Sequence, residues 1–495
     1  MNNIRKTKYG LVQGFFENNI FKCFGIPFAK PPVGELRFKR AIEPEPWSEV
    51  KECKKMSARP CNFFTSSFSK KTRRKNGAES EDCLYLNVWS PEKAEKAPVF
   101  VWMYGGVNHI GGTSEPEYDL EEFAKKGIIS VSFNYRLGPL GFYDFSKIDE
   151  SFDSNCAISD MIRAMHWVHD NIENFGGDPE NVTICGESAG GTGVYCLLTT
   201  PKVKGTFQKA IAMSGLASNI STYKTHKLNN ELYLKGLNLD KENISKLREM
   251  SVEELSAGTK SVFTNNKIYP GILLSGPVID DLVPEKPWEA IEKGSAKDVK
   301  CMFGTCKNEG QLFYRLKIVP RNWDDIKRML EYNNYQEYYD KFKKVYGNMK
   351  EKDAMNEIAT DRMFWIDTMR CCLRQSKYNT VYSYRFDYES GIEKLFGLKC
   401  IHATDVCPAL NTWKGAMSTI HKLTSKNRRI QIHDYIHGAF INFIKTGNPN
   451  GVAPIKWNPY SEDNKESFIF NNECSTVRNH REDVLELWKD LYLYQ

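Results

Sequence analysis

One stretch, Asn181-Val-Thr-Ile-Cys-Gly-Glu-Ser-Ala-Gly-Gly191, limits what this chain can fold into more than any other. Val182, Thr183 and Ile184 are β-branched, and Ile184 and Cys185 are apolar, so the run reads as a short buried strand. Gly186 to Gly190 then fits G-x-S-x-G, and Val194, Leu197 and Leu198 continue with helical spacing. Strand, tight turn, serine and helix are the context of a nucleophile elbow. The flanking glycines permit a strained turn and close backbone approach, which lifts the Ser188 hydroxyl above the sheet. The helix that follows turns its N–H groups toward that hydroxyl, where they can bind a developing anion. The five-residue pattern alone arises by chance in roughly one chain in ten of this length. The rest of the chain must therefore supply a base, an acid and anion-binding donors.

The surrounding pattern is α/β. Pro98–Tyr104 and Gly127–Phe133 are continuous apolar runs, as expected of sheet strands covered on both faces. Gln208–Ser214, Val299–Gly304 and Val381–Phe386 read as further strands. Helical spacing covers about 157–172, 322–346, 353–375 and 427–445, the last ending at Thr446-Gly-Asn-Pro449. Strands alternating with helices imply a mostly parallel central sheet flanked by helices. The first forty residues suggest an antiparallel hairpin and a proline-fixed loop, and residues 51–80 a long surface loop. No repeat or linker divides the chain, so residues 1–495 are expected to form one domain. Insertions around 216–275 and 310–375 are expected to stand over the active site.

Composition narrows the partners. A net charge of +6 over 495 residues is mild, and its basic residues are interspersed with acidic ones. The one dense basic run, Lys70–Lys75, sits in a polar stretch and reads as a solvated loop, so no nucleic-acid partner is expected. The N-terminus has no apolar leader and no run of eighteen apolar residues exists, which points to a cytoplasmic protein without a membrane span. Fourteen dispersed cysteines without a C-x-x-C pair read as mostly buried thiols. His433 and His437 stand at i, i+4 with no third ligand, so a helix-face pair is expected and no metal or cofactor.

A serine hydroxyl becomes a nucleophile when an imidazole takes its proton and a carboxylate holds that imidazole. The expected chain order is serine, acid, histidine. Of nine histidines, His109, His166 and His169 precede Ser188, His226 lies in a polar segment, His433 and His437 on a late helix and His480 in a charged tail. His402, in an irregular segment after Val381–Phe386, is the best-placed base by elimination. Glu309 follows Val299–Gly304 in a loop, the expected place for the acid, with Asp280, Asp281 and Asp405 as rivals.

The chain resembles the type B carboxylesterases, the group that includes bacterial para-nitrobenzyl esterases and animal cholinesterases. The motifs that carry this run from Phe24-Gly-Ile-Pro-Phe-Ala-Lys-Pro-Pro-Val-Gly34 to Lys445-Thr-Gly-Asn-Pro449. Between them lie Glu81-Asp-Cys-Leu-Tyr-Leu-Asn-Val-Trp89, Asn134-Tyr-Arg-Leu-Gly138, Phe175-Gly-Gly-Asp-Pro179 and Gly186–Gly191. The resemblance implies an α/β-hydrolase fold, a small-molecule ester substrate, no cofactor and a bacterial source. It implies Ser188 as nucleophile, Glu309 as acid and His402 as general base, with Gly106, Val107 and Ala189 supplying the oxyanion hole.

Departures from the family pattern fall at the glycine-rich turn. Tyr104 replaces a histidine, Val107 stands where glycine or alanine is typical, and Asn108 replaces an aromatic residue. Val107 is expected to narrow the site against bulky acyl groups or tertiary alcohols. Cys61 and Cys83 occupy the positions of a family disulfide and are expected to stay reduced in a chain without secretion. Competing readings are a catalytically silent binding or adhesion protein of the same fold, and a lipase or acyltransferase.

Overall fold

A computed structural model of the chain describes residues 2–64, 77–265, 268–273, 275–391, 395, 397–414 and 426–494, with the backbone alone for 426–429. The apolar runs become the middle of an eleven-stranded sheet. In chain order the strands are β1 (Ile4–Thr7), β2 (Gly10–Gln13), β3 (Phe15–Glu17), β4 (Ile20–Pro27), β5 (Lys51–Glu52), β6 (Tyr85–Pro91) and β7 (Ala97–Met103). Then follow β8 (Ile129–Phe133), β9 (Gly177–Glu187), β10 (Lys209–Met213), β11 (Lys300–Cys306), β12 (Val381–Phe386), β13 (Glu466–Phe470) and β14 (Ser475–Arg478). The large sheet runs β14-β13-β12-β11-β10-β9-β7-β8-β6-β4-β3, and β1, β2 and β5 form a small separate sheet.

From β8 through β13 the neighbours pair in parallel, whereas β6, β4 and β3 at one end and β14 at the other are antiparallel. Strand alternation divides the core between the two faces. From β7, Val99, Val101 and Met103 join one apolar cluster, with Met161 and Met165 of the helix Cys156–Asn171 and Val194 and Leu198 of Ala189–Thr199. Phe100 and Trp102 join the other, with Ile436, Phe440 and Phe443 of the helix Lys426–Thr446. Each fully buried aromatic or branched side chain contributes about 2–3 kcal/mol by leaving water. Both faces of the central strands are thus covered, which leaves the loops at their carboxyl ends as the open edge where a site can form.

Several expectations need correction. The first forty residues make two hairpins, β1–β2 and β3–β4, rather than one. The segment 51–64 is not a surface loop. Cys53, Arg59, Cys61, Asn62 and Phe63 are buried, because Arg59 pairs with Glu115 and Asn62 Oδ1 accepts from Gly111 N at 2.9 Å. Lys70–Lys75 lie outside the described residues. The span 322–346 is two helices, Trp323–Tyr332 and Tyr339–Tyr346. The span 353–375 contains a π-turn, Asp361–Trp365, between Glu351–Thr360 and Ile366–Gln375. His226 is buried and its Nε2 accepts from Asp144 N at 2.8 Å. The tail adds β13, β14 and the helix Glu482–Trp488. All fourteen cysteines are free thiols and every one but Cys474 is buried. Among the described residues no helix is long and apolar enough to cross a membrane.

Candidate active site

Ser188 stands at the turn between β9 and the helix Ala189–Thr199 with φ 58° and ψ −120°. A serine in this region stores strain that its surroundings must hold. They do so through Ser188 N, which donates to Met213 O of β10 at 2.9 Å, and Ser188 O, which accepts from Thr192 N at 2.9 Å. Gly190 lies so close to Met103 O at the end of β7 that any Cβ there would overlap it. Two glycines in the motif therefore reflect contact between backbones as much as freedom of the turn.

Three loops deliver the partners. His402 Nε2 lies 2.8 Å from Ser188 Oγ, and His402 Nδ1 lies 2.6 Å from Glu309 Oε2. Glu309 follows β11 and is fully buried, and its other oxygen accepts from Ser214 Oγ and Cys306 N, each at 2.6 Å. The carboxylate is therefore fixed by donors on one oxygen and presented to the imidazole with the other. Phe313 and Phe364 pack on the His402 ring with centroids 5.0 and 4.8 Å away. The rival carboxylates are engaged elsewhere: Asp280 and Asp281 bind Arg40 at 2.8 and 2.7 Å, and Asp405 accepts from Tyr384 Oη at 3.0 Å. His433 and His437 stack on each other at 5.3 Å, away from this cluster.

Two residues of the cluster escaped the sequence reading. Ser214 supports Glu309 from the turn after β10, at φ 47°. Glu187, the variable residue before the serine, is buried with Oε1 3.2 Å from His402 Nε2. A carboxylate ending an otherwise apolar strand was the signal available for it. Burial, reinforced by Asp405 and Glu309 and opposed by His402, pushes the Glu187 carboxyl up to about 8. Burial works against a charged His402, but the Glu187 and Glu309 carboxylates outweigh it and raise the imidazole to about 9. Burial, with Glu309 adding repulsion, lifts Asp405 to about 6.

At the glycine-rich turn, Gly106, Val107 and Asn108 all have positive φ, at 129°, 49° and 64°. Asparagine tolerates this region, whereas a β-branched valine there is an outlier. Among the described residues, the N–H groups of Gly106, Val107 and Ala189 donate to no protein acceptor. Two cavities meet at Ser188. A small one, about 30 Å³, is lined by Val107, Ala189, Leu216, Phe313 and Met363 among others. A larger one, about 360 Å³, contains Gly105, Gly106, Glu187, Phe313, Leu316 and His402.

A parallel-centred sheet with helices on both faces and a serine at the sharp turn after β9 is the α/β-hydrolase architecture. A model of the Carboxylesterase family matches residues 1–488, and the chain belongs to that family. It is 35% identical over 482 residues to the para-nitrobenzyl esterase of Bacillus subtilis, covering 96% of each chain. A solved PNB esterase superposes with a TM-score of 0.87 at 32% identity, over 98% of this chain and 100% of that one. A carboxylesterase of Geobacillus stearothermophilus does so with 0.83 at 29% identity, over 98% and 100%. The protein is a carboxylesterase, and the resemblance read from its motifs holds.

Proposed function

We propose that Ser188, His402 and Glu309 hydrolyse a small carboxylic ester through an acyl-enzyme. Ser188 Oγ attacks the carbonyl carbon while His402 Nε2 takes its proton, and Glu309 orients and stabilises the imidazolium. The oxyanion meets the unpaired N–H groups of Gly106, Val107 and Ala189, where each donor is worth about 3 kcal/mol in the transition state. Collapse breaks the ester C–O bond, and the alcohol leaves with the proton from Nε2. Water then attacks the acyl-enzyme, giving its proton to Nε2, and Ser188 departs with that proton as the acid is released.

The observation that carries this reading is the unbroken chain from Ser188 Oγ through His402 to Glu309, with links of 2.8 and 2.6 Å. We read the chain as one catalytic unit whose segments around 216–275 and 310–375 supply walls. Leu216 and Ile272 come from the first, and Phe313 and Met363 from the second. The test is turnover of a para-nitrophenyl ester series of increasing acyl length, run beside Ser188→Ala. Loss of turnover in the variant is expected, and equal activity would refute the mechanism.

A further inference from the structure

The segment that packs on His402 is gripped from its other side by the tail of the chain. The helix Glu351–Thr360 runs through the π-turn Asp361–Trp365 into Ile366–Gln375. Toward the site, Thr360 Oγ1 accepts from the backbone N of Gly310, the residue after Glu309, at 2.9 Å. Phe364 packs on the His402 ring with centroids 4.8 Å apart and on Phe313 at 5.4 Å. Met363 lines the smaller cavity.

Away from the site, Glu357, Asp361 and Trp365 all meet Arg481. Its Nη1 and Nη2 donate to the two Asp361 oxygens at 2.6 and 2.7 Å. Nη1 also lies 3.3 Å from Glu357 Oε2, and the guanidinium stands 5.2 Å from the Trp365 ring centre. Arg481 precedes the helix Glu482–Trp488, and that helix returns to the same carboxylate. Trp488 Nε1 donates to Tyr346 Oη at 2.9 Å, and Tyr346 Oη donates to Asp361 Oδ2 at 2.7 Å. Asp361 is fully buried, and burial pushes its carboxyl up to about 6 although Arg481 opposes the shift. A buried ion pair adds little stability over apolar packing, and its best-attested use is to fix a register. π-turns are rare and concentrate at functional sites.

We propose that Arg481 is a positioning residue of the esterase: its grip on Asp361 holds the π-turn so that Phe364 seats the His402 imidazole and Met363 bounds the smaller cavity. The inference rests on the reading of His402 as the base. Arg481→Lys keeps the charge but loses the planar fork, and Arg481→Ala removes both. Active sites are counted with a para-nitrophenyl phosphonate, which releases one para-nitrophenol per reactive serine, so kcat refers to folded enzyme alone. A displacement of about 1 Å costs about a hundredfold in rate, so kcat per site should fall by about that factor in Arg481→Ala and by less in Arg481→Lys.

Ratios of kcat/KM between a long and a short ester do not depend on how much enzyme is folded. They should shift by about threefold or more in Arg481→Ala, in whichever series, acyl or alcohol, fills the space beside Met363. Should Arg481→Ala fail to fold, Arg481→Lys carries the test with the same readouts. A merely structural pair would lower the unfolding temperature and leave both readouts in place. Values within about twofold of the parent, for kcat per site or for the ratios of both series, overturn the proposal. Loss of turnover and of phosphonate capture in Ser188→Ala leaves the serine mechanism standing in that case. Turnover that persists in Ser188→Ala sinks that mechanism instead.

Discussion

The two chambers that meet at Ser188 have Val107, Ser188 and Phe313 in common and differ in the rest of their linings. The larger, about 360 Å³, includes His402 and Glu187 and has the half-exposed Leu316 in its wall. The smaller, about 30 Å³, is walled by Leu216, Ile272 and Met363, and Asn108 and Asn219 also line it. On the proposed mechanism, proton transfer belongs to the first chamber and size selection to the second. A substitution should therefore disturb one half of the ester without the other, unless it strikes what they share.

The largest effect tests the shared part. Glu309→Gln should lower kcat by about 10⁴-fold, because the amide holds the imidazole in the wrong tautomer. The loss should be the same for esters varied in the acyl half and in the alcohol half. A loss confined to one series would break the division of labour. Next comes Val107→Gly, which relieves a left-handed valine at φ 49° and opens the acyl side. Trimethylacetate esters should gain about tenfold over acetate esters, as expected when a wall recedes by a few methyl groups. Because Val107 borders both chambers, the alcohol series should gain less than the acyl series, and no gain with the bulky acyl group would remove Val107 as the limit.

Glu187→Gln acts from the other chamber. Nucleophilic attack needs neutral His402, so kcat/KM rises as the imidazole loses its proton. The Glu187 carboxylate favours the charged imidazole, which lies raised at about 9. Its removal lowers that value, so the acid limb of the pH profile should move down by about one unit. An unmoved limb would separate Glu187 from the base. Smallest is Leu316→Ala, at a side chain 45% exposed. It should change turnover of long-chain alcohol esters by less than about threefold and stability by less than about 0.5 kcal/mol in thermal unfolding.

These chambers were also unequally legible. The turn at Ser188 shows in the sequence because backbone crowding leaves a local signature, glycines at fixed offsets after a β-branched strand. The parallel strands show for a similar reason, as runs apolar on both faces. In the sequence His402 is singled out only by elimination, and Glu309 is distinguished from three aspartates only by the family motifs. What separates them is non-local: Asp280 and Asp281 are taken up by Arg40, some 240 positions away in the chain. Of the chamber walls, Val107 and the segments around 216–275 and 310–375 are legible in the sequence, whereas the bond from Asn108 Nδ2 to Ser275 O, 167 positions later, is not. β13 and β14 are short, with Glu466 opening the first and Asn471 and Asn472 in the connection between them, so period-2 patterning gives little warning of them.

The crowding at Gly190 has a consequence for how such a chain changes over generations. The position faces Met103 O with no room for a methyl group, so it admits one residue only. Ile272 and Met363 line the smaller cavity and tolerate exchange for other apolar side chains at a cost below about 1.5 kcal/mol. Under selection for a new ester, a population is thus channelled. Variation accumulates on the walls, the turn stays invariant, and the range of substrates diverges while the reaction is inherited unchanged.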